Sequence, residues 1–130
     1  CVTTSRSGFM ILVDTSVWVD HLRNGNDGLN SLLLNAAVLV HPFVIGELAC
    51  GNLHNRKQIL NLLGDLPASK VASDQEVLFF IEQNDLMGRG IGYIDAHLLA
   101  SVSLSGPARL WTVDRKLHKV AVQLGLAPPA

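Results

Sequence analysis

The stretch FMILVDTSVWV, residues 9–19, decides how the rest of the chain is arranged. Four apolar residues, Met10 to Val13, run into Asp14 and are followed by turn residues and a helical pattern, which predicts a buried strand that feeds a helix. Asp14 is the only charged residue in this stretch, and it needs a partner because burial of a lone carboxylate is costly. Ligands of open α/β sheets bind outside the carboxyl ends of the strands, so we expect Asp14 to lie at a site.

Length and composition indicate one compact domain. The 130 residues are 48% hydrophobic and 16% charged, which argues against a disordered chain and suffices for a buried core. The sequence contains no apolar run of the roughly 18 residues that a membrane span needs and no recognisable secretory signal. We predict a single domain over residues 10–130, preceded by an N-terminal extension or cloning remnant at residues 1–9.

The two cysteines, Cys1 and Cys50, are too few for a disulfide framework. This usage is typical of a reducing cytoplasm, which is the expected location. Because Cys50 lies in an apolar helical pattern, we expect it to be a small core residue.

Strand and helix patterns alternate along the rest of the chain. Strands are expected at 38–41 and 109–113, and weakly around Lys70-Val71. The predicted helices cover residues 15–22, 29–36, 43–50, 55–64, 74–87, 93–104 and 115–124. Parallel strands require long crossovers of this kind, so the predicted fold class is α/β, with a parallel sheet sandwiched by helices.

Three further acids resemble Asp14 in their surroundings. Glu47 in FVIGELAC and Asp95 in GYIDAHLLAS are solitary charges in apolar runs, and Asp114 ends the strand pattern RLWTV. All lie at the carboxyl end of a strand or in the opening turns of a helix, where such folds place ligands. Four carboxylates brought together would repel one another unless a divalent cation lies among them. Oxygen ligands select Mg²⁺ or Mn²⁺ over zinc.

Each acid also has a purely structural interpretation. An acid at a helix start often serves only as a cap or as a partner of the helix dipole, which suits Asp114 and Asp95 taken singly. Glu47 and Asp14 could each form a structural salt bridge. The structural interpretation, however, has to account for four acids independently.

Three other residues are candidates for supporting roles at this site. The hydroxyls of Ser16 and Thr112 could orient the acids or a metal-bound water, and Arg89 in its glycine loop could contact a phosphate. The seven remaining acids of the chain stand against ten lysines and arginines, so the chain outside the four acids carries a formal charge of +3. This balance suits a polyanionic substrate.

The chain resembles the PIN-domain ribonucleases, and most closely the VapC-like toxins of type II toxin–antitoxin pairs. The matching stretches are MILVDTSVWVDHLR at 10–23, PFVIGELACG at 42–51, GRGIGYIDAHLLAS at 88–101 and LWTVDRKL at 110–117. The resemblance implies a three-layer α/β/α sandwich with a mostly parallel central sheet, and metal-dependent cleavage of RNA. It also implies a homodimer and a cognate antitoxin that covers the site. The acidic site it implies consists of Asp14, Glu47, Asp95 and Asp114.

The expected mechanism is hydrolysis of an RNA phosphodiester by a metal-activated water, with one or two Mg²⁺ or Mn²⁺ ions held chiefly by Asp14 and Asp95. Two alternatives remain open. One is an Asp-nucleophile phosphatase, since Asp14 ends the first strand, although Ser16 stands where that chemistry usually has a second acid. The other is a non-catalytic binding module, with the leucine-rich helices at 29–36 and 59–63 as partner surfaces.

Overall fold

The computed structural model describes residues 8–129, so most of the predicted extension, residues 1–7, lies outside the described residues. Within this range, three strands and seven helices follow one another along the chain. In order they are β1 (Met10–Val13), α1 (Thr15–Asn24), α2 (Asp27–Leu34), β2 (Val38–Leu39), α3 (Pro42–Cys50), α4 (Arg56–Asp65), α5 (Asp74–Gln83), α6 (Tyr93–Leu104), β3 (Ala108–Trp111) and α7 (Arg115–Gln123).

The first strand is the centre of the sheet, which has the order β2-β1-β3 with both pairs parallel. Ile11 pairs with Val38, and Val13 pairs with Trp111. The successive side chains of Ile11, Leu12 and Val13 are all buried. Because neighbouring side chains of a strand point to opposite faces, both faces of the sheet are covered. The predicted α/β sandwich with a parallel sheet is therefore confirmed.

Local sequence signals explain where several helices begin. The side chain of Asn26 caps α2, and Pro42 occupies the first turn of α3. Ser73 and Glu76 form the predicted capping box at the start of α5, with the Ser73 hydroxyl accepting from the Glu76 N–H at 3.1 Å. These caps satisfy N–H groups that a helix cannot satisfy internally.

Some predicted boundaries were wrong. The helix expected to reach Met87 ends at Gln83, because Asp85 adopts a left-handed backbone with φ of 52°. Lys70 and Val71 form no strand; the pairing at this edge of the sheet is a single bridge between Val40 and Ala68. One isolated bridge depends on how two distant segments meet, and periodicity along the chain does not register it.

Two further predictions concern exposure and the start of the domain. Cys50 is exposed rather than a core residue, so that prediction was wrong. The domain start at Met10 stays a prediction; before it, Phe9 packs against the core and places its ring 3.7 Å from the Arg109 guanidinium carbon. Between residues 8 and 129, no helix combines the length and apolar character needed to cross a bilayer.

Candidate active site

The carboxyl-end edge of the sheet carries two of the four predicted acids. Asp14 follows β1 directly, and its N–H donates to the Trp111 carbonyl at 2.9 Å, which extends the β1–β3 ladder by one bond. Asp114 lies three residues past β3 and forms the N-cap of α7. Since the strands are parallel, the two acids emerge at the same edge.

Asp14 is buried, with 8% of its surface exposed. Its carboxylate accepts hydrogen bonds from three residues. One carboxylate oxygen accepts from the Thr15 N–H at 2.8 Å. The other accepts from the Thr112 hydroxyl at 2.7 Å and the Ser16 hydroxyl at 3.2 Å. These donors compensate the cost of burying the charge. The two hydroxyls predicted to support the acids thus both contact Asp14.

Glu47 reaches the cluster from α3, where its side chain is exposed. Its Oε1 accepts a hydrogen bond from the Thr15 hydroxyl at 2.6 Å, which joins α3 to the start of α1. Thr15 was not among the predicted site residues. Its position beside Asp14 is the only signal in the sequence, and a threonine there is equally typical of a helix start.

Asp95 and Asp114 both act at the start of a helix. Asp95 accepts through Oδ2 from the Gly92 N–H at 3.0 Å, and Asp114 accepts through Oδ1 from the Leu117 N–H at 3.0 Å. Both acids thus do stabilise a helix start, Asp114 as the N-cap of α7 and Asp95 as the third residue of α6, whose N-cap is Gly92. Capping occupies one oxygen of each carboxylate. Within residues 8–129, the second oxygen of Asp95, Asp114 and Glu47 accepts no hydrogen bond.

Electrostatic coupling joins the four acids. Partial burial raises the pKa of the Asp95 carboxyl above its ordinary value, and the hydrogen bond from Gly92 only partly opposes this. The negative charges of Asp14, Asp114 and Glu47 raise the same pKa further. Carboxylates from three separate parts of the chain therefore act on Asp95, and capping does not account for this convergence.

The donor chemistry of the cluster fits a hard divalent cation. Its four side chains offer only carboxylate oxygens, which are ligands that suit Mg²⁺ or Mn²⁺. In the described part of the chain, three of these oxygens, one each from Glu47, Asp95 and Asp114, accept no hydrogen bond. As the side chains stand between residues 8 and 129, no three of them form a ready-made metal cluster. Each carboxylate instead directs at least one oxygen at a hydrogen-bond donor of the protein.

Arg89 and His97 differ in their relation to the cluster. Arg89 donates a hydrogen bond to the side-chain oxygen of Gln123 on α7. His97 is buried and turns away from the acids, with its Nε2 lying 3.3 Å from Asp74 Oδ1.

Two comparisons with known proteins bear on these residues. The PIN domain family model matches residues 11–123, a range that includes all four acids. A protein named Ribonuclease VapC32, from the CDC 1551 and H37Rv strains of Mycobacterium tuberculosis, is 46% identical over 118 residues. That alignment covers 91% of this chain and 95% of the relative.

Proposed function

The chain belongs to the PIN domain family, and on that premise we propose that it is a VapC-like toxin endoribonuclease that hydrolyses RNA phosphodiesters at the four-carboxylate cluster. The relative named as a ribonuclease supports the activity, because the similarity extends over nearly the whole length of both chains. The observation that carries the assignment to this cluster is the hydrogen-bond geometry: the Thr112 hydroxyl contacts both Asp14 and the Asp114 backbone, and the Thr15 hydroxyl beside Asp14 binds Glu47. The raised pKa of Asp95, to which the other three acids contribute, is consistent with this placement.

Asp14 and Asp95 are the proposed principal ligands of Mg²⁺ or Mn²⁺, and Glu47 and Asp114 complete the set. When bound, the cation supplies a water of lowered pKa and neutralises charge that develops on the phosphate. The chain's own hydroxyl groups hold two of these ligands: Thr112 and Ser16 fix the orientation of Asp14. Thr15 does the same for Glu47.

The ionisation state of Asp95 sets a requirement on pH. Its raised pKa means that the metal-free site holds a proton on this carboxyl more readily than an ordinary aspartate does. A cation needs the ionised form, so metal binding and proton release are coupled at this residue. RNA cleavage is therefore expected to decline as the pH falls towards the acid range.

The proposed partners follow from the family resemblance. We propose that the protein acts in the cytoplasm as a homodimer and is inhibited by a cognate antitoxin that covers the site. Exposed apolar side chains support protein contacts of this kind, since Leu34 is 80% exposed and Phe79 is 66% exposed.

The geometry disfavours the alternative of an Asp-nucleophile phosphatase. That chemistry usually has a second acid two residues after the nucleophile, and residue 16 of this chain is a serine. The Ser16 hydroxyl, in the position of the second acid, donates to Asp14.

The test compares RNA cleavage by the wild type, Asp14→Asn and Asp20→Asn, with and without Mg²⁺ or Mn²⁺ and with RNA in excess over protein. Asp20 lies exposed on α1, the helix whose N-cap is Asp14, and provides a matched control. We expect metal-dependent turnover, reduced at least about 100-fold by Asp14→Asn, as for other groups that stabilise transition-state charge. Asp20→Asn should cleave like the wild type.

Retained cleavage in Asp14→Asn would sink the assignment of the site. Metal-loaded wild type that binds RNA without turnover would instead favour the non-catalytic binding module.

A further inference from the structure

A second charged feature lies beside the acidic cluster. A cavity of about 390 Å³ is lined by Arg89, Lys116, Lys119, Val120 and Gln123. Its described lining thus contains three cations and no acid. The ion pair recorded between residues 8 and 129 joins His97 to Asp74, so none of these three cations has a carboxylate partner within that range. Positive charges kept together without counter-charges attract an anion.

Gly90 lies close to Lys116, one of the residues that line the cavity. Its φ of 81° is a left-handed backbone conformation that favours glycine, and a Cβ placed on it would lie 2.7 Å from the Lys116 Cδ. Lys116 therefore lies along the glycine loop of residues 88–92. On the same loop, Arg89 is held against α7 by its hydrogen bond to Gln123. The loop and the helix thus form two walls of one cationic cavity.

The glycine loop and α7 each connect the cavity to the proposed site. The loop ends at Gly92, whose N–H donates to Asp95. The helix begins at its N-cap, Asp114. Lys116 and Lys119 follow that cap by two and five residues, which is roughly 3 and 8 Å along the helix axis. An RNA chain bound at the acidic cluster would therefore bring a neighbouring phosphate to the cavity.

We propose that this cavity binds a phosphodiester of the RNA chain next to the one that is cleaved, with Lys116 and Lys119 as point charges and Arg89 as a hydrogen-bond donor. The inference deepens the proposed function and rests on it. A single phosphate would be bound through its charge, so the subsite positions the chain without reading a base. An acidic segment of a protein partner is the competing occupant.

The experiment measures binding of a labelled single-stranded oligoribonucleotide in the presence of a chelator, at salt concentrations from about 50 to 200 mM. The proteins are the wild type, Lys119→Gln, the double variant Lys116→Gln/Lys119→Gln and the control Lys70→Gln. Lys70 is exposed, and its N–H bonds to Ser105 at the far end of α6 from Asp95. Every substitution is on the surface, and melting curves verify folding.

For single strands, each phosphate contact contributes about 0.7 to the slope of log K against log salt. The slope should therefore become shallower by up to about 0.7 in the double variant, which loses the contact to this one phosphate, and by a smaller amount in Lys119→Gln. The slope of Lys70→Gln should equal that of the wild type. In metal-loaded cleavage assays the double variant should show a raised KM.

Equal slopes for all four proteins would overturn the inference, whether or not the wild type cleaves RNA. A loss of binding to polyglutamate with no change for RNA would also overturn it, in favour of the acidic partner. Shallower slopes in a protein that never cleaves would support the cavity as a phosphate site and refute the proposed function alone.

Discussion

Thr112 serves two of the four acids through one hydroxyl group. Its Oγ1 donates to Asp14 Oδ2 at 2.7 Å and accepts from the Asp114 N–H at 3.1 Å. A hydroxyl group can donate and accept at the same time, and this one is buried. Thr112 thereby fixes the end of β1 relative to the start of α7, and we regard it as a positioning residue.

We expect Thr112→Val to lower both stability and activity. Valine keeps the volume but removes the closer of the two hydroxyl donors to Asp14 Oδ2 and the acceptor of the Asp114 N–H. This loss costs about 1–3 kcal/mol of unfolding free energy. Urea unfolding measures the stability, and RNA turnover measures the activity. Thr112→Ser retains the hydroxyl and should restore most of both. Equal turnover by the valine variant and the wild type would contradict the positioning role.

Asp95 and Asp114 combine a local role at a helix start with membership of the acidic cluster. In sequence, Asp95 and Asp114 both suit the start of a helix, and in the structure both accept a backbone N–H there. Their additional relation to Asp14 and Glu47 is electrostatic and acts between segments far apart in the chain. Similarly, the apolar sequence around Cys50 does not reveal that this residue lies on the solvent side of α3.

Among the elements, α3 begins at a histidine instead of a conventional cap residue. His41 Nδ1 accepts from the Phe43 N–H at 3.0 Å, so the ring carries its proton on Nε2, which lies 3.1 Å from the Ser101 hydroxyl. The side chain is completely buried. Burial, assisted by the nearby His97, lowers the pKa of His41 to about 4. The neutral ring is thus part of the junction between α3 and α6.

We expect the buried, neutral His41 to lower the free energy of unfolding in acid. An unfolded histidine titrates near pH 6.5, so between about pH 6.5 and about 4 the unfolded chain binds more protons than the folded one. The contribution of His41 is fully present above pH 6.5 and falls by about 2–3 kcal/mol as the pH drops to about 4.5.

The measurement is urea unfolding at neutral and acid pH for the wild type and His41→Asn. Asparagine retains an N-cap acceptor but does not titrate, so the variant should lose less stability in acid. The raised pKa of Asp95 favours the folded state in acid, because its neutral form is preferred there. That opposing effect is common to both proteins and cancels in the comparison. Identical pH dependence of the two proteins would show that His41 does not control it.

Across the whole molecule, charge is divided between an acidic cluster and a cationic loop–helix pair. The net charge of the chain is −1, yet three acids lie close enough to Asp95 to raise its pKa. Mutual repulsion there opposes folding when no cation is present. Charge separation at this scale therefore couples the stability of the fold to ligand binding.

We expect Mg²⁺ or Mn²⁺ to stabilise the folded protein, by about 2.7 kcal/mol at a hundredfold excess over Kd. Glu47→Gln should gain less from the cation, and without the cation it should melt no lower than the wild type because one repelling charge is gone. Glu82→Gln, an exposed site on α5, is the matched control. Thermal melts with cation and with chelator provide the measurement. An equal cation-induced shift in Glu47→Gln and the wild type would remove Glu47 from the ligand set.

The sequence by itself determined the order of strands and helices, the parallel sheet, and four acids at strand ends and helix starts. These features depend on local causes, namely apolar periodicity and capping, which operate within a few residues. Only the tertiary structure decided the contacts between Thr15 and Glu47 and between Thr112 and Asp14, which lie 32 and 98 residues apart. It also decided the bridge from Val40 to Ala68 and the close approach of Lys116 to Gly90. Such contacts depend on how distant strands and helices pack against one another, and a local sequence pattern does not determine that packing.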